Sequence, residues 1–357
     1  MGLVNSCFKG DDQAGLGDKD GSPGETGAVK QYSWDQTRAQ KDISKYIIEN
    51  IHQGEVGRMP GDVNGEQIVI RNCENANIYI FDHTNTVSID DCRKCEIFIG
   101  PTKSSLFIRD CSDCTLVASC GQFRTRDCHG LTAFLCCPTQ PIIEATTKAK
   151  FGCFQVNYPE LADQFQQAGL SRFNNMWWNI HDFTPIHESK NWKLLGECYK
   201  VKEFLTQPAS KPLNGVTLDF ESSPVPYTIG SRSRDHDETS LVLIFADNLQ
   251  DQRAAKVLAE MDRHTEIELV KTRFLQLQDT DAERIFSSKN YKISCQLGPV
   301  IALQFAGPDC IRFCGKVVDS VTISTLGQGK ILTSTDSSTA SSQINGLFNF
   351  IDMQMGL

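Results

Sequence analysis

The stretch DCRKCEIFIGPTKSSLFIRDCSDC, residues 91–114, carries four cysteines as two CxxC pairs, Cys92/Cys95 and Cys111/Cys114, with 15 residues between them. A zinc ribbon uses such spacing, and so can a packed core. Extending the comparison along the chain separates the two. IVIRNC ends at Cys73, VSIDDC at Cys92, LFIRDC at Cys111 and FRTRDC at Cys128, in steps of 19, 19 and 17 residues. After each cysteine comes a second apolar string: NIYIF (77–81), EIFIG (96–100), TLVAS (115–119) and TAFLC (132–136). A short period holding several strands per turn describes a β-solenoid, here expected as a right-handed parallel β-helix. Three residues past the repeat cysteine stand Ala76, Cys95, Cys114 and Leu131. A zinc ligand position does not accept Ala and Leu in sister rungs. A ladder of small apolar side chains does, and a free thiol packs as one. The cysteines are therefore expected in the core, with no metal site.

Side chains alternate along a strand, so the repeat also sorts its faces. Ile68 and Ile70, Val87 and Ile89, Leu106 and Ile108, and Phe123 and Thr125 fall on the inner face. Outside, Val69, Ser88, Phe107 and Arg124 form one column, and Arg71, Asp90, Arg109 and Arg126 the next. Gln122 lies outward beside Ser105 and Thr86. An outward arginine is ordinarily just solvated. Arg124, however, occupies a column of Val, Ser and Phe, next to Gln122, on a rung two residues shorter than its neighbours. A rigid Gln-x-Arg suits phosphate or carboxylate chemistry. Spacing alone goes no further.

Composition bounds the rest. The 357 residues suffice for two or three domains. A net charge of −9 and a pI near 5.3 argue against non-specific nucleic-acid binding. No apolar run approaches the ~18 residues of a membrane span, and MGLVNSCFKGDDQ has no apolar signal region. Fifteen cysteines, an odd count, are expected as thiols in a reducing compartment. Gly2 with Ser6 matches M-G-x-x-x-[ST], the myristoylation pattern, and Cys7 is a palmitoylation candidate. One acyl chain binds membranes marginally, and two make anchoring stable. The following residues, rich in Gly and Asp, complete an expected disordered tether over 1–31.

QYSWDQ (31–36), the DC rungs, GQFRTRDC (121–128), LCCPTQPIIE (135–144) and FNNMWWNIHDFTP (173–185) together resemble the tubulin-folding cofactor C-like domain family. The resemblance covers nearly the whole chain. It implies a β-helical domain over 32–200 that activates an ADP-ribosylation-factor-like small GTPase, with Arg124 as an arginine finger and Gln122 its neighbour. It further implies partner or nucleotide contacts at Ser104, Ser105, Gly121, Phe123, Arg126, Glu144 and Phe183. GTP and Mg²⁺ would come with the partner, leaving this chain no cofactor of its own. Acylation at Gly2 and Cys7 would hold it on the cytoplasmic face of the plasma or ciliary membrane, in the trafficking of lipidated cargo. Two positions depart from the family pattern: Gly121 stands where a second Gln is common, and the second acylated cysteine is Cys7 rather than the neighbour of Gly2. The competing reading is a scaffold that binds the activated GTPase without accelerating it.

Residues 201–239 read as a linker, with charged SRSRDHDETS at 231–240. Beyond it, strands over 240–246, 266–277 and 298–307 alternate with helices over 252–264 and 279–288, predicting a ferredoxin-like α/β domain over 240–357. Its LVLIFA start resembles nucleoside diphosphate kinases. That chemistry needs a phosphoryl-accepting histidine, and the last of the seven is His264, so an interaction module is expected. His83, His129 and His181 are scattered without ligand spacing, and Trp177 and Trp178 are expected to cap the open solenoid.

Overall fold

The computed structural model describes residues 43–186, 190–211, 213, 215–230, 238–286 and 291–354. Gly2 and Cys7 lie outside the described residues. The fold is built on the residue that precedes each repeat cysteine. Asn72, Asp91, Asp110 and Asp127 have φ of +51° to +53°, left-handed values that Asn and Asp tolerate best among residues with a Cβ. The chain turns there, drops the cysteine inward, and turns again at Asn75, Lys94, Asp113 and Gly130, which also have positive φ. Between the two turns Glu74, Arg93, Ser112, His129 and Thr147 join successive rungs by single parallel bridges.

These corners fold a parallel β-solenoid with two faces. One holds β1 (Ile47–Glu49), β3 (Ile68–Arg71), β5 (Val87–Asp90), the end of β6 (Glu96–Arg109), the end of β7 (Thr115–Arg126), β9 (Ile142–Glu144) and β11 (His181–Asp182). The other holds β2 (His52–Arg58), β4 (Glu74–Ile80), the starts of β6 and β7, β8 (Thr132–Cys136), β10 (Ala149–Cys153) and β12 (Trp192–Leu194). Cys73, Cys92, Cys111 and Cys128 are at most 3% exposed, and Ala76, Cys95, Cys114 and Leu131 at most 1%. The thiols donate to carbonyls of their own corner, as from Cys111 Sγ to Arg109 O at 3.1 Å and Cys114 Sγ to Ser112 O at 3.4 Å. They are structural thiols, packed as small apolar groups.

The second apolar strings are continuous rather than alternating, and a strand with that pattern is buried on both sides. Tyr79, Phe98, Val117 and Phe134 point out of the solenoid yet are at most 2% exposed. Helix α1 (Leu161–Gln167) covers part of this face, with Gln164 Nε2 donating to Phe81 O at 2.9 Å. The segment expected as a linker covers the rest. Val201, Leu205, Leu213, Val216, Leu218 and Val225 belong to the solenoid core, Tyr79 Oη donates to Thr206 O at 2.8 Å, and Phe204 packs on Phe134 at 5.3 Å. Residues 201–211, 213 and 215–229 thus act as a strap, held by an apolar outer face that a true linker would leave wet.

The C-terminal domain has a four-stranded antiparallel sheet: β14 (Glu268–Leu275), β15 (Val300–Gly307), β13 (Glu238–Ile244) and β16 (Ile331–Thr333), in that order. Helices α2 (Gln250–Met261) and α5 (Cys310–Ser324) pack on one side. On the other lie α3 (Asp279–Phe286), α4 (Lys292–Gln296) and α6 (Ser337–Gln354). The tryptophan segment spans two cores. Phe173 lies in the C-terminal core and Trp177 in the solenoid core. Between them, Asn174 accepts from Phe274 N at 2.7 Å and donates to Phe274 O at 3.0 Å.

Candidate functional site

Strand β7 carries the residues singled out in the sequence, and its register explains how they are presented. Phe107 pairs with Arg124 and Arg109 with Arg126, so the two outer columns run through adjacent strands as expected. The missing two residues of this rung are absorbed at two irregularities, between Ile99 and Thr102 and between Thr102 and Ser105. At each, β6 carries one residue more than β7, as in a bulge. The second places Lys103 and Ser104 over Gly121. A Cβ on Gly121 would lie 2.5 Å from Lys103 O and 2.9 Å from Ser104 O. Only glycine lets the two strands approach this closely, which explains why Gly rather than Gln stands there.

Beyond the bulge the strands return to register. Ser105 pairs with Gln122, and Ser105 Oγ donates to Gln122 Oε1 at 3.2 Å. Ser104 Oγ donates to Asn85 Oδ1 at 3.1 Å. On the other flank Arg124 pairs with Ile142 and Arg126 with Glu144. Phe183, 61% exposed, donates its N–H to Ile143 O at 2.9 Å, so it follows Asp182 and lies beside Glu144 on the same face. Its ring meets His181 edge-on at 4.5 Å. The fold therefore brings Ser104, Ser105, Gln122, Arg124, Arg126, Glu144 and Phe183 onto one surface. Phe123 does not join them. It is fully buried and packs edge-on against Phe151 at 6.1 Å, because odd and even positions of a strand face opposite ways. The expectation of a side-chain contact from Phe123 is corrected: it anchors the strand from beneath.

Charge pairing separates the arginines of this face. Arg71 pairs with Glu49 at 2.6 Å, Arg109 with Asp90 at 2.6 Å, and Arg126 with Asp127 at 3.1 Å. The bond to Asp90 holds the Arg109 guanidinium above its usual range. Arg124 is exposed and makes no ion pair or hydrogen bond among the described residues. Its register neighbours are Phe107 and Ile142, which offer no carboxylate. The site is an open face. The cleft of about 790 Å³ between the solenoid and the C-terminal domain includes none of these residues.

The histidines are dispersed. His83 Nδ1 lies 3.2 Å from Asp82, His129 Nδ1 lies 2.9 Å from Thr147 Oγ1, and His181 is against Phe183. Among the described residues no group of three or more His, Cys, Asp or Glu is arranged to hold a metal.

A parallel solenoid presenting this face defines a cofactor C-type domain, and the model of the family Tubulin binding cofactor C matches residues 65–183. Protein XRP2 of Gallus gallus is 48% identical over 92% of this chain and 91% of its own. Protein XRP2 of Homo sapiens is 46% identical over 95% and 97%. Tubulin-specific chaperone C of Homo sapiens is 26% identical over 53% and 57%. The chain belongs to the XRP2 family.

Proposed function

We propose that this chain is a GTPase-activating protein for an ADP-ribosylation-factor-like small GTPase, acting in trans with Arg124 as its arginine finger. The observation that carries the reading is the unpaired, exposed Arg124 on a rigid face whose other outward arginines, Arg71, Arg109 and Arg126, are each neutralised by a carboxylate. Hydrolysis by a small GTPase is slow because charge developing on the phosphates is incompletely balanced. An arginine supplied in trans balances it and accelerates the step roughly 10³–10⁵-fold. A finger on a solenoid strand reaches the phosphates without first being ordered.

The neighbours fit subsidiary roles. Gln122, its carbonyl oxygen engaged by Ser105, directs its remaining amide protons toward the nucleotide side. Ser104 and Ser105 border the nucleotide, Arg126 and Glu144 contribute charge to the partner interface, and Phe183 contributes an apolar contact. GTP and Mg²⁺ belong to the partner, where the metal adds charge neutralisation at the phosphates. Acylation at Gly2, strengthened at Cys7, tethers the activator to the plasma or ciliary membrane, consistent with a role in moving lipidated cargo. The C-terminal domain is a ferredoxin-like unit serving as an interaction module. Single-turnover GTP hydrolysis with Arg124→Ala, read beside binding to the GTP-loaded partner, tests the proposal. The scaffold reading predicts no effect on rate.

A further inference from the structure

The last rungs of the solenoid carry a basic patch that the Arg124 face does not use. Lys150 on β10 and Lys193 on β12 are register partners on adjacent parallel strands. Their inward neighbours Ala149 and Phe151 are buried, so both lysines point out of the solenoid. Lys148 lies two residues before Lys150. Lys190 lies two residues before Trp192, which pairs with Ala149, and its Nζ sits 5.8 Å from the centre of the Trp192 ring. Lys150 and Lys193 therefore stack on neighbouring strands, with Lys148 and Lys190 in the segments that lead into those strands, in a chain whose net charge is −9.

Elsewhere on the solenoid, outward arginines other than Arg124 have carboxylate partners, such as Arg71 with Glu49 and Arg109 with Asp90. Among the described residues none of these four lysines forms an ion pair. The nearby carboxylate of Asp182 is engaged instead by Thr184 N at 2.9 Å and Asn191 Nδ2 at 3.0 Å. Glu197 lines the cleft beside the C-terminal domain. Stacked, unneutralised lysines repel one another, and an anionic surface relieves that repulsion.

We infer that this end of the solenoid docks on an anionic lipid surface. Ile186, in the segment that precedes β12, is 51% exposed, and a membrane interface accepts basic and apolar groups together. The patch belongs to the β10–β12 face and Arg124 to the β7–β9 face. A membrane and a protein partner can thus be held at once. The attraction is electrostatic and separate from any acyl chain, so it adds to a weak anchor as a second signal.

The test uses full-length protein with Gly2→Ala, which removes acylation, and vesicles of phosphatidylcholine alone or mixed with phosphatidylserine. Binding is expected only to the mixed vesicles, weakening as salt is raised. Lys150→Gln with Lys193→Gln should weaken it about 30-fold, at about fivefold per lysine. Lys150→Arg with Lys193→Arg should preserve it, which separates charge from folding. Lys256→Gln, on helix α2, should change nothing. No binding to phosphatidylserine vesicles, or binding indifferent to the double Gln variant, would overturn the inference. Lysine-dependent capture of a polyglutamate peptide without vesicle binding would overturn it in favour of an acidic protein partner.

Discussion

Arg124 and Arg126 project from the same face of one strand, two residues apart, but only Arg126 is neutralised, with its Nε 3.1 Å from Asp127. The pair should therefore separate rate from affinity. Arg126→Ala is expected to weaken binding of the GTP-loaded partner several-fold, with turnover at saturation nearly unchanged. A titration of single-turnover rate against activator concentration reads both quantities.

The corner cysteines should behave as packing groups. Cys95→Ala is expected to cost about 1 kcal/mol, since only a small buried group is lost. Cys95→Asp should cost several times more, because a charge would be buried without a partner. Purified protein should hold less than one zinc per chain, and chelators should leave its melting temperature unchanged. Metal analysis and thermal melts with and without chelator check this.

Gly121→Ala tests the bulge. A Cβ 2.5 Å from Lys103 O forces β6 and β7 apart, at a cost of about 1–3 kcal/mol. Activation should fall along with stability, because Gln122 and Arg124 follow directly on the same strand. Denaturant unfolding beside an activity assay measures both.

The buried Arg253 of the C-terminal domain pairs with Asp247 at 2.5 Å. Burial alone would raise the Asp247 carboxyl, but the bond to Arg253 and its positive charge outweigh burial and hold it below its ordinary value. A depressed carboxylate stabilises the fold at pH above its unfolded value, about 3.9, and that contribution is lost as pH falls through the folded value. Asp247→Asn should therefore destabilise the domain by about 3–5 kcal/mol at neutral pH, leaving Arg253 buried and unpaired. It should also flatten the loss of stability below about pH 4. Chemical unfolding across pH checks both signs.

Membrane attachment should depend on Gly2. Gly2→Ala is expected to abolish acylation, while Cys7→Ser should leave weak, reversible binding. Fractionation of cells expressing each variant reads the difference. GTPase activation in solution should survive both changes.

The solenoid was legible because its period and its alternation are both local. Cys73, Cys92, Cys111 and Cys128 gave the rungs, and the outer columns through Phe107–Arg124 and Arg109–Arg126 match the observed register. The Asn or Asp before each cysteine was a further signal, since a left-handed corner favours those residues. The strap over 201–229 was missed because its partner surface is distant in sequence. Its trace was the doubly apolar character of NIYIF and EIFIG, which requires a cover on each side. The inward side of Phe123 follows from strand alternation alone, which its full burial matches. The outer columns also held the charge pairing of Arg109, since Asp90 stands beside it and Phe107 beside Arg124.

The central claim is that Arg124 acts on the partner's phosphates. Its most direct test is single-turnover GTP hydrolysis by an ADP-ribosylation-factor-like GTPase at saturating activator, with equilibrium binding measured in parallel. Arg124→Ala should lower the stimulated rate by ~10³ or more while binding changes far less. Arg124→Lys should restore little, because an ammonium lacks the planar fork of donors, and Gln122→Ala should be clearly impaired. Near wild-type turnover by Arg124→Ala at saturation would contradict the account and leave this face a scaffold.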